Sequence, residues 1–243
     1  DCLLSRGLGD VYKRQFSLRY RWPLLVAWLL ALSLVAGGLQ AQWDFQRIAA
    51  RAEQLYGPLG AGKPRIDAWQ RLLDEQRNAP EADKLKAVNR FFNLQLRFRD
   101  DQEIWGVADY WATPVEALMR GAADCEDYAI AKYFSLRELG VPSEKLRITY
   151  VKAVRLNQAH MVLTYYPTPT SVPLVLDNLI NAIEPATERN DLVPVYAFNA
   201  EGLWVPGPAG GKQVGDSKRL SRWQDLLKLS LIHISEPTRQ EAI

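Results

Sequence analysis

The chain has 243 residues, of which 48% are hydrophobic, and this suits one substantial globular domain whose core can hold a fixed active site. Its 30 basic and 28 acidic residues nearly cancel. The length excludes two large domains, and the charge balance argues against a nucleic-acid-binding protein, which needs a clustered basic excess.

Both ends of the chain differ in character from its middle. Residues 1–15 and 231–243 resemble translated adapter sequence, so we predict that they are non-native tails and exclude them from the fold. Cys125 and His160 are then the one cysteine and the one histidine of the remaining chain. Two such residues cannot supply a zinc site built from Cys and His, and a disulfide to Cys2 is not expected.

Residues 16–41 have the pattern of an export signal. A basic segment at 19–21 precedes an uncharged apolar run over 22–39, and the small residue Ala41 follows. This pattern predicts a secretory signal peptide cleaved after Ala41, which places the domain of residues 42–230 outside the cytoplasm. An uncleaved membrane anchor is the alternative, because about 17 to 25 apolar residues can span a bilayer.

The first half of the domain is predicted to be helical, because its apolar residues recur at helical spacing. A further helix is predicted to have Asp124 as its N-cap and to end at Gly140, which places Cys125 in its first turn. The earlier predicted helices cover residues 44–56, 67–77, 81–96 and 113–120, and the aromatic-rich segment 105–111 is predicted to be a loop.

From Leu146 onward the apolar pattern changes to that of β-strands. Val, Ile, Leu, Thr and Tyr are frequent, and turn residues separate the runs. Helices followed by strands predict an α+β fold, with the helix that carries Cys125 packed on an antiparallel sheet. The predicted strands cover residues 146–155, 159–166, 172–177, 193–198 and 202–205, and a closing helix covers 221–229.

Cys125, His160 and Asp177 have the residue types of a thiol protease triad. A helix start lowers the pKa of a thiol, an imidazole can take the thiol proton, and a carboxylate can orient the imidazole. Adjacent antiparallel strands would place His160 and Asp177 side by side. The alternative is a structural histidine and an aspartate that serves turn chemistry.

Three acidic residues beside the cysteine, Asp124, Glu126 and Asp127, oppose this chemistry, because negative charges raise the pKa of a thiol. A bound Ca²⁺ would resolve the conflict, since it takes roughly six to eight oxygen ligands. The alternative is a plain N-cap followed by favourable first-turn acids. Further candidate ligands lie in the earlier acidic run Asp100, Asp101 and Glu103.

In combination, the motifs AADCEDYA (122–129), QAHMVL (158–163) and LDN (176–178) resemble the bacterial transglutaminase-like cysteine proteinases, and the resemblance covers residues 43–229. The resemblance implies a papain-like or transglutaminase-like thiol protease fold. It also implies that Cys125 is the nucleophile, His160 the general base and acid, and Asp177 its orienting partner.

The resemblance further implies a Ca²⁺ ion held by Asp124 and Glu126, to which we add Asp127. Such a protease is a periplasmic endopeptidase that cleaves the N-terminal region of a large surface adhesin, typically at a paired-alanine site, and so releases biofilm cells. An inner-membrane receptor for cyclic diguanylate is the implied sequestering partner. Two alternatives are a transglutaminase or amide transferase that uses the same triad, and a non-catalytic module that binds a peptide or receptor.

Overall fold

The computed structural model describes residues 43–207 and 210–234 of the chain. The predicted tail of residues 1–15, the predicted signal of residues 16–41 and most of the predicted tail after residue 230 lie outside the described residues, so they stay predictions. Among the helices that are described, none has the length and apolar character needed to cross a bilayer.

Helices form the first part of the domain, as the apolar spacing predicts, except for one short helix over Asp101–Ile104, a segment where no helix is predicted. They are α1 Phe45–Tyr56, α2 Lys63–Gln76, α3 Glu81–Gln95, α4 Asp101–Ile104, α5 Pro114–Arg120, α6 Cys125–Glu138 and, at the end of the chain, α7 Ser221–Ile234. Their apolar faces meet in one core, in which Trp69, Phe92 and Leu136 are fully buried. Trp69 donates its indole N–H to Ser135 Oγ at 2.8 Å, which joins α2 to α6.

The second part of the described chain is an antiparallel sheet. Its strands are β3 Leu146–Ala153, β4 Gln158–Tyr165, β5 Leu174–Leu176, β6 Glu184–Pro185, β7 Leu192–Phe198, β8 Leu203–Val205 and β9 Lys212–Gly215. They lie in the order β6, β5, β4, β3, β7, β8, β9. On β4, Leu163 pairs with Leu176 of β5, and His160 pairs with Val151 of β3. The predicted α+β arrangement is thus confirmed.

The start of α6 is fixed by the chain that precedes it. Thr113 and Glu116 form a capping box at the start of α5, and Gly121 ends that helix with a φ of 65°, a left-handed conformation that favours glycine. Next, β2 Ala122–Ala123 pairs in parallel with β1 Arg97–Phe98. Helix α6 begins one residue after Asp124 and packs between α3 and α5 on one side and β3 and β4 on the other.

The structure differs from the predicted boundaries in a few places. Helix α2 begins at Lys63 instead of Asp67, because Pro64 is compatible with the first turn of a helix. Helix α7 continues to Ile234, past the predicted end at Leu229. Strand β9 was not predicted, since its one large apolar residue, Val214, is exposed and leaves no alternation of buried and exposed residues.

Candidate active site

Cys125 is the first residue of α6 and has a free thiol that is partly exposed. It lies in an open cleft of about 650 Å³, and His160 lines the same cleft. The sulfur lies 3.1 Å from Glu126 Oε2, and the backbone N–H of Met161, the neighbour of His160, donates to the sulfur. The structure therefore brings the predicted nucleophile and the predicted base into one cavity.

The surroundings of Cys125 favour the neutral thiol in the protein alone. Burial raises the pKa of the thiol well above its usual range, and the negative charges of Glu126 and Asp124 raise it further. The Met161 N–H acts in the opposite direction and does not offset them. Position at a helix start is thus not enough to make this cysteine reactive, which agrees with the conflict seen in the sequence.

His160 and Asp177 form a buried hydrogen-bonded pair. His160 Nε2 lies 2.8 Å from Asp177 Oδ1, and the two side chains are 4% and 0% exposed. Asp177 directly follows the last residue of β5, so the pairing of β5 with β4 brings it beside His160. The predicted juxtaposition is therefore present. The hydrogen bond to Asp177 occupies Nε2 of the His160 imidazole and leaves Nδ1 available for exchange of a proton.

The Asp177 carboxylate is held from several directions. The Leu179 N–H donates to Oδ1 at 3.1 Å, and Arg189 Nη2 donates to Oδ2 at 2.7 Å. Asn93 of α3 donates to the backbone oxygen of Asp177 at 2.8 Å. Burial raises the pKa of Asp177, but the interactions with His160, Leu179 and Arg189 lower it to about 2. Asp177 is therefore ionised at neutral pH.

We expect the substitution Asp177→Asn to lower the free energy of unfolding by about 2 kcal/mol at neutral pH, because the pKa is about 2 in the folded protein and about 3.9 in an unfolded chain. A depressed pKa stabilises the folded state above the unfolded value, and this stabilisation is lost as the pH falls through the folded value. The difference between wild type and variant should thus be complete above about pH 5 and shrink towards about pH 2.

Urea denaturation of both proteins between pH 7 and pH 2 measures this difference. Asp225→Asn, at an exposed position on α7, is the matched control, and its effect on stability should be small at every pH. A loss of stability in Asp177→Asn that is the same at pH 7 and pH 2 would contradict the expectation.

A group of carboxylates, some of them buried, lies next to the thiol. Oxygens of Asp101, Asp124 and Asp127 lie within 4.8 Å of one another, and so do oxygens of Asp101, Asp109 and Glu126. The three predicted calcium ligands are thus close together but in two overlapping groups. Asp101, of the acidic run at 100–103, belongs to both groups. Asp109 was not predicted, because it lies in an aromatic loop with no acidic neighbour.

The carboxylate oxygens of this cluster are incompletely satisfied by the protein. Asp101 Oδ1, Asp124 Oδ1 and Asp127 Oδ2 are buried without a hydrogen-bond partner in the described part of the chain. Asp101 and Asp127 accept hydrogen bonds from backbone N–H groups of the loop before α5, Asp101 Oδ2 from Tyr110 and Asp127 Oδ1 from Ala112 at 2.7 Å.

Without a bound ion, three acids of the cluster also keep their protons to a higher pH than usual. Burial, with the neighbouring acids, raises the pKa of Asp124 to about 9, that of Asp101 to about 6, and that of Asp127 well above its usual range. Closely spaced hard oxygens with free lone pairs, in an electrostatic setting that disfavours their own negative charge, fit a bound Ca²⁺.

The cleft around Cys125 and His160 is lined by both polar and aromatic residues. Asp109 forms an ion pair with Arg222 Nη1 at 2.8 Å, which bridges the loop after β1 to the start of α7. Tyr150 and Tyr196 stack with ring centroids 5.1 Å apart across β3 and β7. An open groove with these walls can accommodate an extended peptide segment.

Comparisons with known proteins agree with this geometry. The family model described as bacterial transglutaminase-like cysteine proteinase matches residues 69–200, more than half of the chain. The solved structure of LapG from Legionella pneumophila is 45% identical, with a TM-score of 0.66, over 77% of this chain and 98% of that chain. No curated protein sequence is significantly similar to the chain.

Two further structures of LapG from Legionella pneumophila match in the same way. The EGTA-treated form is 45% identical with a TM-score of 0.67, over 77% of this chain and 98% of that one. The calcium-bound form is 44% identical with a TM-score of 0.65, over 76% and 98%. The fold and the extent of both matches show that this chain belongs to the family of bacterial transglutaminase-like cysteine proteinases and is a cysteine protease.

Proposed function

We propose that the protein is a calcium-dependent periplasmic endopeptidase that cleaves the N-terminal region of a large surface adhesin and thereby releases biofilm cells. One observation carries the proposal: the thiol of Cys125 shares a cleft with His160, which is paired with the buried Asp177, and lies directly against an acid-rich cluster. A protease with this arrangement needs the cluster neutralised before its thiol can react.

In the proposed reaction, Cys125 attacks the carbonyl carbon of the scissile peptide bond. His160 takes the thiol proton at Nδ1, because Nε2 is held by Asp177, and later gives the proton to the leaving amine. The backbone N–H of Cys125, at the start of α6, is the proposed donor to the oxyanion. Water then hydrolyses the thioester and restores the thiol.

Asp101, Asp124, Asp127 and Glu126, with Asp109 at the edge of the cluster, would hold the Ca²⁺ ion. When bound, the ion supplies positive charge that offsets these acids and so favours the thiolate of Cys125. The unpartnered buried oxygens support this assignment. So does the family relationship, since LapG is known in calcium-bound and EGTA-treated forms and EGTA is a calcium chelator.

The periplasmic location, the adhesin and the sequestering receptor for cyclic diguanylate rest on the motif resemblance and on the signal predicted at residues 16–41. An inner-membrane receptor and an exported protease would meet at the periplasmic face of the membrane. Sequestration there would couple adhesin cleavage to the level of the second messenger.

The test of this function is incubation of the purified protein with an N-terminal adhesin fragment in the presence of Ca²⁺. We expect two product peptides that meet at a paired-alanine site, identified by mass spectrometry. A fragment with the paired alanines replaced by bulky residues is the matched control and should stay intact. An uncut first fragment would overturn the proposed substrate. A crosslinked product, with the summed mass of two substrates less the ammonia released on transfer, would indicate an amide transferase instead.

A further inference from the structure

A buried arginine lies behind the His160–Asp177 pair. Arg189 is 3% exposed and donates Nη2–H to Asp177 Oδ2 at 2.7 Å, while His160 Nε2 contacts the other oxygen at 2.8 Å. The two oxygens of Asp177 thus have different partners, which fixes the plane of the carboxylate. An arginine keeps its charge under all ordinary conditions, so this contact is permanent.

Arg189 is itself held by a second carboxylate. Its Nε donates to Asp191 Oδ1 at 2.9 Å and its Nη2 to Asp191 Oδ2 at 2.9 Å, a two-point contact that fixes the orientation of the guanidinium. Asp191 is partly exposed, with 25% of its side chain accessible. A continuous chain of contacts therefore runs from the surface through Asp191, Arg189 and Asp177 to His160.

Another buried cation lies near Asp177 but makes no hydrogen bond with it. Lys132 of α6 is fully buried, and its Nζ has no hydrogen-bond partner among the described residues. Burial lowers the pKa of Lys132 to about 7, although the charge of Asp177 opposes this. Lys132 is thus partly neutral near pH 7 and makes no contact with the carboxylate. Arg189 is the cation that orients Asp177.

We propose that Arg189 is a positioning residue of the protease, which acts through Asp177 to hold the imidazole of His160 in the orientation and tautomer that accept the thiol proton. This inference rests on the roles given to His160 and Asp177 in the proposed function. It adds a fourth residue that contacts neither the substrate nor the sulfur.

The first test is the rate at which iodoacetamide alkylates Cys125 in the folded, calcium-loaded protein. This readout needs no adhesin, so it remains valid if the proposed substrate is wrong. We expect Arg189→Gln to slow both alkylation and peptide cleavage by about tenfold to a hundredfold, the usual effect of removing a partner that orients a functional histidine. Arg189→Lys, which keeps the charge, should recover part of the loss.

Two further measurements distinguish the proposed positioning role of Arg189 from a purely structural one. Without Arg189 the Asp177 carboxylate would take up a proton at a higher pH, so the acid limb of the cleavage profile should move upward, whereas loss of folded protein would lower the rate equally at each pH. Arg189→Gln added to Asp177→Asn should cause no further loss of activity, because the arginine acts through the aspartate.

Arg137→Gln is the matched control, since Arg137 is a partly buried arginine at the end of α6 that donates to Val141 O at 2.6 Å. It should leave the alkylation rate unchanged. Should Arg189→Gln fail to fold, Asp191→Asn gives the same test. It releases one end of the Arg189 guanidinium while leaving the positive charge of Arg189 in place. An alkylation rate equal to that of wild type in the folded variant, or additive losses in the double variant, would overturn the proposal.

Discussion

Replacing Cys125 with alanine is expected to abolish cleavage of the adhesin fragment, with a fall of at least about 10⁴-fold in the rate of the chemical step. The reason is that Cys125 is the only thiol among the described residues that line the cleft. The fold should persist, because the substitution removes one partly exposed sulfur that is not part of a disulfide. Cleavage measured by gel and mass spectrometry, with thermal unfolding in parallel, tests both statements.

Ser221→Ala is a suitable control for this experiment. Ser221 lines the same cleft at the start of α7, carries a hydroxyl of similar size, and is exposed. We expect its cleavage rate to equal that of wild type. Undiminished cleavage by Cys125→Ala, with the same products, would show that the thiol is not the nucleophile.

Removal of calcium is expected to lower the rate of cleavage about as much as the substitution Cys125→Ala does. Excess EGTA should stop cleavage, because burial and the negative charges of Glu126 and Asp124 then keep the Cys125 thiol in its neutral form. Added Ca²⁺ should restore the rate, whereas Mg²⁺ should not, since it demands a smaller and more regular shell of ligands. Calcium at about 100 times its dissociation constant should also stabilise the fold by about 2.7 kcal/mol, which thermal unfolding can detect.

Two neighbouring aspartates give this prediction a matched pair of variants. Asp101 is buried and belongs to both carboxylate groups, whereas Asp100 is exposed and belongs to neither. Asp101→Asn should raise the calcium concentration for half-maximal cleavage by about tenfold or more, because it removes a charged ligand. Asp100→Asn should leave that concentration unchanged. Full activity of the wild type in excess EGTA would show that cleavage does not depend on calcium and that the acids beside Cys125 serve only as helix caps.

Much of the fold and the central part of the site could be predicted from local patterns. The apolar residues of helix α6 and the glycine that follows it indicate the helix, which ends at Glu138, two residues before Gly140. The position of Cys125 at the start of this helix could therefore be predicted. The approach of His160 to Asp177 could be predicted because His160 lies near the start of β4, Asp177 directly follows β5, and these strands are neighbours in sequence as well as in the sheet. Short-range periodicity and sequential strand pairing decide these features.

The rest of the site depends on contacts that no local pattern specifies. Asp109 reaches the cluster only because the chain after β1 folds back, and no acidic motif surrounds it. Arg189 lies in the irregular segment between β6 and β7, where an arginine usually faces solvent. Strand β9 is recognisable only by its pairing with β8, since its own residues are largely polar. Such features follow from tertiary packing.

The two-residue ladder between β1 and β2 has a consequence for how the site is divided along the chain. It closes the segment between Phe98 and Ala122 into a loop whose ends are fixed, and this loop together with the first turn of α6 contains every carboxylate of the cluster. The His160–Asp177 pair and its arginine come instead from the sheet. The acidic half and the histidine half are therefore separate structural modules joined at Cys125. Substitutions confined to the segment between Phe98 and Ala122 would therefore change the acidic cluster without touching the His160–Asp177 pair.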